Sequence, residues 1–257
     1  MNNLKEYAEA QRKLYLSKMG RNFTEQDPMG LTVPGRWDEH EAYPYVEHIM
    51  EKFSKSELPQ MGEHGACLDF GCGNGRMLRY FADLFYYVDG CDINPEFLVA
   101  ARNYLDKHTP LLTSSRCKLY PTDGSSSKIG SAFADYDLVF STITMIHIIP
   151  WSVRMNVLKD HYTLLKPGGR LCHQMIYSRL KEDMKFEHRE WRYDEIEACT
   201  GGRNVAIFEK DLPLLTKDLE SLRFKNIEFT FKDPPLPKTE GASKYTGCKW
   251  IYINATK

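Results

Sequence analysis

The sequence predicts an α/β protein: a doubly wound, mostly parallel sheet of seven strands with a helical N-terminal cap and an antiparallel strand pair ending the chain. Three observations predict it. From residue 66 onward, short apolar runs alternate with segments of helical periodicity in β-α-β-α order, the signature of parallel strands with crossover helices. A glycine-rich turn, Gly71 to Gly75, directly follows the first apolar run. Two late apolar runs are separated by a Pro-rich loop that reads as too short for a crossover helix, which makes them an antiparallel pair at a sheet edge.

The elements follow in order. Residues 1–20 read as a charged helix whose apolar positions are Leu4, Tyr7, Ala8, Leu14 and Tyr15. The next stretch, NFTEQDPMGLTVPGRW, is broken by two prolines and two glycines and reads as a loop. A second helix is expected over EHEAYPYVEHIMEKFSK, with Pro44 suited to a first turn. ACLDF is a strand, and GRMLRYFADLF a helix with apolar positions at Met77, Leu78, Phe81, Leu84 and Phe85. YYVDGCDI is a second strand, and the helix PEFLVAARNYLDK opens with Pro95 at the position where its missing N–H costs nothing. RCKLYPTD and YDLVFSTIT are the third and fourth strands. SVRMNVLKDHYTLL is a helix stopped by KPGG, and RLCHQMIY the fifth strand. Residues 179–206 read as an irregular charged insertion. A helix over DLPLLTKDLESL precedes the closing pair IEFTF and KWIYINATK. The domain division is therefore residues 1–60 as cap and 61–257 as the main domain.

Composition narrows the function. The 257 residues carry 34 basic and 35 acidic side chains, so no general attraction to nucleic acid or an anionic membrane is implied. No apolar run approaches a membrane span, and the charged N-terminus has no signal-peptide core. The seven cysteines form no CxxC pair or Cys/His cluster, so no metal site is expected; Cys67, Cys91, Cys117 and Cys172 fall in strand-like runs as small hydrophobes. A cytoplasmic protein with buried thiols is the expectation.

In an open parallel sheet, ligands bind beyond the carboxyl ends of the strands. The first strand exits into Gly71-Cys72-Gly73-Asn74-Gly75, and glycines there let a ligand approach the backbone. A nicotinamide dinucleotide needs glycines at relative positions one, three and six, whereas position six here is Arg76. No GKS or GKT follows, so the loop is not a Walker loop either.

The motif order resembles the class I S-adenosylmethionine-dependent methyltransferases, which share a Rossmann-like fold. Asp69 with Gly71, Gly73 and Gly75 matches that family's first motif, Asp92 its ribose-binding acid, and Asp123-Gly124 the position that contacts the adenine amine. YDLVFSTITMIHII resembles the fourth-strand motif and LLKPGGRL the turn before the fifth strand, so the likeness spans roughly residues 65–178. The resemblance implies S-adenosyl-L-methionine as cofactor, S-adenosyl-L-homocysteine as product, and Asp69, Gly71, Cys72, Gly73, Asn74, Gly75, Asp92, Ile93, Asp123, Gly124, Ser141 and Thr142 around it. Arg36, in the cap, could meet the methionine carboxylate.

His147, just past the fourth strand, is a candidate general base, the alternative being a packing histidine; His173 is expected in the core. Acceptor contacts are expected from Trp37 and Tyr43 in the cap and from Arg179, Trp191 and Tyr193 in the insertion. The function expected is methyl transfer to an oxygen or nitrogen of a small-molecule acceptor. A protein acceptor, including a terminal amine, and a non-catalytic cofactor-binding subunit are the alternatives.

Overall fold

The computed structural model describes residues 7–13, 43–53, 62–112, 115–123, 129, 135–184, 188–195, 204–233 and 248–257. Residues 7–13 form helix α1, and Tyr43–Met50 form α2, the middle of the expected second helix. The strands that follow are β1 (Ala66–Phe70), β2 (Tyr87–Asp92), β3 (Leu119–Pro121), β4 (Tyr136–Thr142) and β5 (Leu165–Ser178). The helices between them are α3 (Arg76–Phe81), α4 (Pro95–His108) and α5 (Trp151–Leu164). Two short strands, β6 (His188–Arg189) and β7 (Asn204–Phe208), lead to α6 (Leu212–Ser221) and the closing pair β8 (Lys225–Lys232) and β9 (Lys249–Thr256).

The strand order is β3-β2-β1-β4-β5, all parallel, and β9 runs antiparallel to β5 and carries β8 on its other side. Those seven strands match the expected sheet. The described residues form nine, because the stretch read as irregular contributes β6 and β7. The reason is local. Val205 to Phe208 are an apolar run buried throughout, and they pair with Ile176–Ser178 where β5 extends past the end of β4. Charged neighbours on both sides hid a run that short.

KPGG also departs from expectation. Strand β5 begins directly at Leu165 and runs through it, with an irregularity in the ladder between Tyr136 and Leu138. Gly168 takes φ +78, and the backbone of Lys257 closes over it: Gly168 N–H donates to Lys257 O and Lys257 N–H to Gly169 O. The turn is a bulge inside a strand rather than a gap before one.

The core lies on both faces of the sheet. Phe81 stacks on Phe140 with ring centroids 4.2 Å apart on the α3 side, and Tyr45 and Ile49 of α2 join the same cluster. On the α5 side, His161 and His173 are fully buried with Nδ1 and Nε2 3.0 Å apart, beside Phe70. Burial drives both rings toward the neutral form, His173 down to about 3. His173 is thus a core residue, as the sequence suggested. The insertion is tied to the core by Asp218, whose Oδ2 accepts the indole N–H groups of Trp151 and Trp191 at 2.9 and 2.8 Å.

Candidate functional site

Parallel strands β1, β2 and β4 all end on the same side of the sheet, its carboxyl end, with Phe70, Asp92 and Thr142 as their last residues. The loops leaving them enclose a cleft of about 940 Å³, counting the solvent at its mouth.

The glycine loop forms one wall, and its three glycines have three different reasons. A Cβ on Gly71 would lie 2.2 Å from Thr144 Oγ1, so this glycine lets the β1 and β4 exits touch. Gly75 takes φ +82 as it caps α3, and a Cβ there would press on Ala101 at 3.1 Å. Gly73 lines the cleft, and nothing lies within 4 Å of where its Cβ would stand. Its bare backbone faces space that a ligand can fill. Gly73 N–H donates to Asp92 Oδ2 at 3.0 Å, while Asn94 N–H donates to Asp92 Oδ1 at 2.9 Å. Each carboxylate oxygen has a second lone pair, enough for two vicinal hydroxyls.

Asp92 is held up to about 6, first by burial, with the backbone N–H groups of Asn94, Gly73 and Ile93 opposing. Asp69, one strand away, is 1% exposed and pushed up to about 8 by burial and then by the Asp92 carboxylate; Arg76 acts the other way. Its Oδ1 has no hydrogen-bond partner, and neither has Oδ1 of Asn94, which lines the cleft while almost wholly buried. Orphaned buried acceptors are uncommon and mark a place where a donor is expected.

The opposite wall is the β4 exit. Ile143 sits at φ +67, a strained conformation for a β-branched residue, and Thr144–His147 then make one turn of 3₁₀ helix. Thr142, Ile143, Thr144, His147, Ile148 and Val153 line this side. Helix α1 closes over both walls. The Tyr7 hydroxyl donates to the carbonyl of His147 at 2.7 Å and accepts from Ile149 N–H at 2.8 Å; Gln11 Nε2 donates to the same carbonyl at 2.9 Å. At the other end Arg12 pairs with Glu96 of α4 at 2.8 Å.

The expected site residues fall as follows. Gly71, Gly73, Asp92, Ile93, Thr142 and His147 line the cleft. Cys72, Asn74 and Gly75 form the buried underside of the loop, and Ser141 is buried with its hydroxyl donating to Phe70 O at 2.9 Å. Asp123 is exposed at the β3 exit, where Thr122 lines the cleft instead. Arg36, Trp37 and Gly124 lie outside the described residues, as does the side chain of Tyr43.

The insertion differs from expectation. Trp191 is 1% exposed and spent on Asp218 and on the buried Arg154 guanidinium, which lies 4.8 Å above its ring. Arg179 is exposed, Tyr193 pairs with Glu195 at 2.9 Å, and none of the three lines the cleft. Residues the sequence did not single out for the site, Tyr7, Gln11, Asn94, Phe97, Thr122 and Asn204, do the lining and bracing. For Asn94 and Phe97 the available signal was nearness to Asp92. For Tyr7 and Asn204 no local signal exists.

A glycine loop at the first strand end, a carboxylate at the second and a nucleoside-sized cleft between them define a nucleoside-cofactor fold. The comparisons name the class. Residues 67–169 match the family described as "Methyltransferase domain", which supports a class I S-adenosylmethionine-dependent methyltransferase. It is 27% identical over 230 residues to arsenite methyltransferase of Mus musculus, covering 78% of this chain but only 57% of the mouse protein. In fold it resembles magnesium protoporphyrin IX methyltransferase from Synechocystis PCC 6803 (15% identity, 99% of each chain, TM-score 0.60). It also resembles Burkholderia thailandensis 1,6-didemethyltoxoflavin-N1-methyltransferase (18% identity, 98% of this chain and 89% of the other, TM-score 0.60). Among the described residues no helix is long and apolar enough to cross a membrane, and no cluster of metal-ligating side chains occurs.

Proposed function

We propose that the chain binds S-adenosyl-L-methionine in this cleft and moves its methyl group to an oxygen or nitrogen of a small-molecule acceptor. The observation that carries the reading is the continuity of the cleft from Gly73, Asp92 and Thr122 to Thr142 and His147. One end suits a nucleoside and the other reaches a potential base. The relative and structural neighbours above are methyltransferases named for arsenite, magnesium protoporphyrin IX and 1,6-didemethyltoxoflavin, which supports a small-molecule acceptor.

When bound, S-adenosyl-L-methionine supplies a methyl group already activated on a sulfonium. The residues of the chain do the rest. Asp92 accepts the ribose hydroxyls, Asn94 offers a buried oxygen to a donor, and Ile93 and Phe97 give an apolar surface for the base. Arg36, Asp123 and Gly124 complete the cofactor site in this reading, and Trp37 and Tyr43 the acceptor side. Helix α1 excludes water from the transfer path, and fixed alignment alone is worth about 7–11 kcal/mol in well-oriented systems. His147 takes the proton of a hydroxyl or amine acceptor.

Arsenite is the less favoured acceptor. Arsenic(III) seeks thiolates, and the described cysteines of the sheet and glycine loop are buried with their thiols pushed up by burial. Among the described residues none lines the cleft.

The test is transfer of radiolabelled methyl groups from S-adenosyl-L-methionine into a metabolite extract and, separately, a protein extract. Label entering small molecules in wild type and lost in His147→Ala supports the proposal. Label entering protein favours a protein or terminal-amine acceptor. Cofactor binding with no transfer to either favours a non-catalytic subunit.

A further inference from the structure

His147 is gripped from two sides by elements remote in sequence. Its carbonyl takes two hydrogen bonds from α1, and its ring Nδ1 lies 2.9 Å from Oδ1 of Asn204, the first residue of β7. Strand β7 exists only because Ile176–Ser178 project beyond β4, and it packs against the 144–147 turn. The small β6–β7 ladder thus carries Asn204 to the one histidine among the cleft-lining residues.

An amide oxygen can only accept. Nδ1 must therefore carry the proton in this pair, which leaves the lone pair on Nε2. We propose that Asn204 is a positioning residue: it fixes the imidazole of His147 in the tautomer whose Nε2 receives the proton of the methyl acceptor. As the acceptor's lone pair forms its bond to the methyl carbon, the carbon–sulfur bond breaks with its electron pair left on sulfur. The acceptor's proton passes to Nε2, and the imidazolium so formed keeps its Nδ1–H···O bond to Asn204. This is the role a hydrogen-bonded second nitrogen gives a catalytic imidazole, with a neutral amide in place of a carboxylate. The inference rests on the methyl-transfer reading above.

Among the described residues, ionisable groups reach this region from several elements. Tyr7 comes from α1, Asp92 lies across the cleft, and His188 pairs with Asn204 from β6. Arg154 of α5 donates to the carbonyls of Ile148 and Ile149 just beyond.

The experiment is nitrogen NMR of the full chain labelled at histidine, with His147→Gln assigning the resonance and S-adenosyl-L-homocysteine added. Wild type is expected to show protonated Nδ1 and unprotonated Nε2. Asn204→Ala should mix the tautomers, and Asn204→Asp should raise proton affinity at His147 tenfold or more, because a carboxylate favours the imidazolium. In the methyl-transfer assay on the same extract, Asn204→Ala should lose tenfold or more of the wild-type rate. A wild-type ring protonated at Nε2, or an unchanged tautomer in Asn204→Ala, overturns the inference. So does a variant that loses only thermal stability, since that is what β7 packing alone predicts. The wild-type spectrum locates the proton even where a variant does not fold. Failure of the protein to bind S-adenosyl-L-homocysteine overturns the cofactor reading and leaves the tautomer result standing on its own.

Discussion

Replacing Asp69 with asparagine should stabilise the ligand-free protein at neutral pH, and the gain should grow with pH. Asp69 is buried at the foot of the glycine loop, with Oδ1 unpartnered, and its carboxyl is held up at about 8 against an ordinary 3.8. Below pH 3.8 the group is protonated in both folded and unfolded chains and makes no difference. Between 3.8 and about 8 the unfolded chain ionises while the folded one keeps its proton, so stability falls as pH rises. Each pH unit in that window is worth up to about 1.4 kcal/mol. Asparagine has the same shape and does not titrate. The variant's advantage should therefore be on the order of 4 kcal/mol larger at pH 8 than at pH 5. Asp92, raised to about 6, contributes a slope of the same sign, and the depressed His161 and His173 one of opposite sign below 6.5. To first order these are common to both proteins and cancel in the difference. Urea titrations at pH 5, 6, 7 and 8 read it directly. A difference independent of pH, or wild type the more stable at pH 8, refutes the reasoning.

Other expectations follow from the same geometry. Gly71→Ala should destabilise the fold by about 2–4 kcal/mol, summing a left-handed Cβ and the contact with Thr144; thermal unfolding checks it. Gly73→Ala should cost only about 1–2 kcal/mol, because its Cβ meets nothing, yet weaken cofactor binding tenfold or more by calorimetry. Tyr7→Phe removes a hydroxyl that bonds His147, Ile149 and Gln11; it should cost about 1–3 kcal/mol and speed cofactor release in stopped flow. Trp191→Phe keeps an aromatic ring but leaves Asp218 one donor short. It should lower stability by about 1–3 kcal/mol with cofactor affinity unchanged, the reverse of what a cleft residue would do.

The parts of this protein legible in the sequence are those whose causes are local. Gly71, Gly73 and Gly75 declare a loop by conformation, and the strand-end Asp92 sits where such a loop needs an acceptor. Alternating apolar runs announce the parallel order, and the Pro-containing gap announces the antiparallel pair. What was not legible depends on contacts made only after folding. Tyr7 looked like one apolar position of a surface helix, and its role comes from a hydroxyl meeting a backbone 140 residues away. Asn204 opens a strand that forms only because β5 outruns β4. Trp191 and Tyr193 were expected at the acceptor because their insertion follows the fifth strand, at the strand ends where ligands bind. Asp218 and Arg154, distant in the chain, anchor Trp191 into the core instead.

The measurement that bears most directly on the central claim is calorimetric titration of S-adenosyl-L-homocysteine into wild type and Asp92→Ala, with NAD as comparator. The account predicts one site for S-adenosyl-L-homocysteine in wild type, affinity reduced at least tenfold by Asp92→Ala, and no NAD binding. Tight NAD binding without S-adenosyl-L-homocysteine binding, or equal S-adenosyl-L-homocysteine affinity in both proteins, contradicts it.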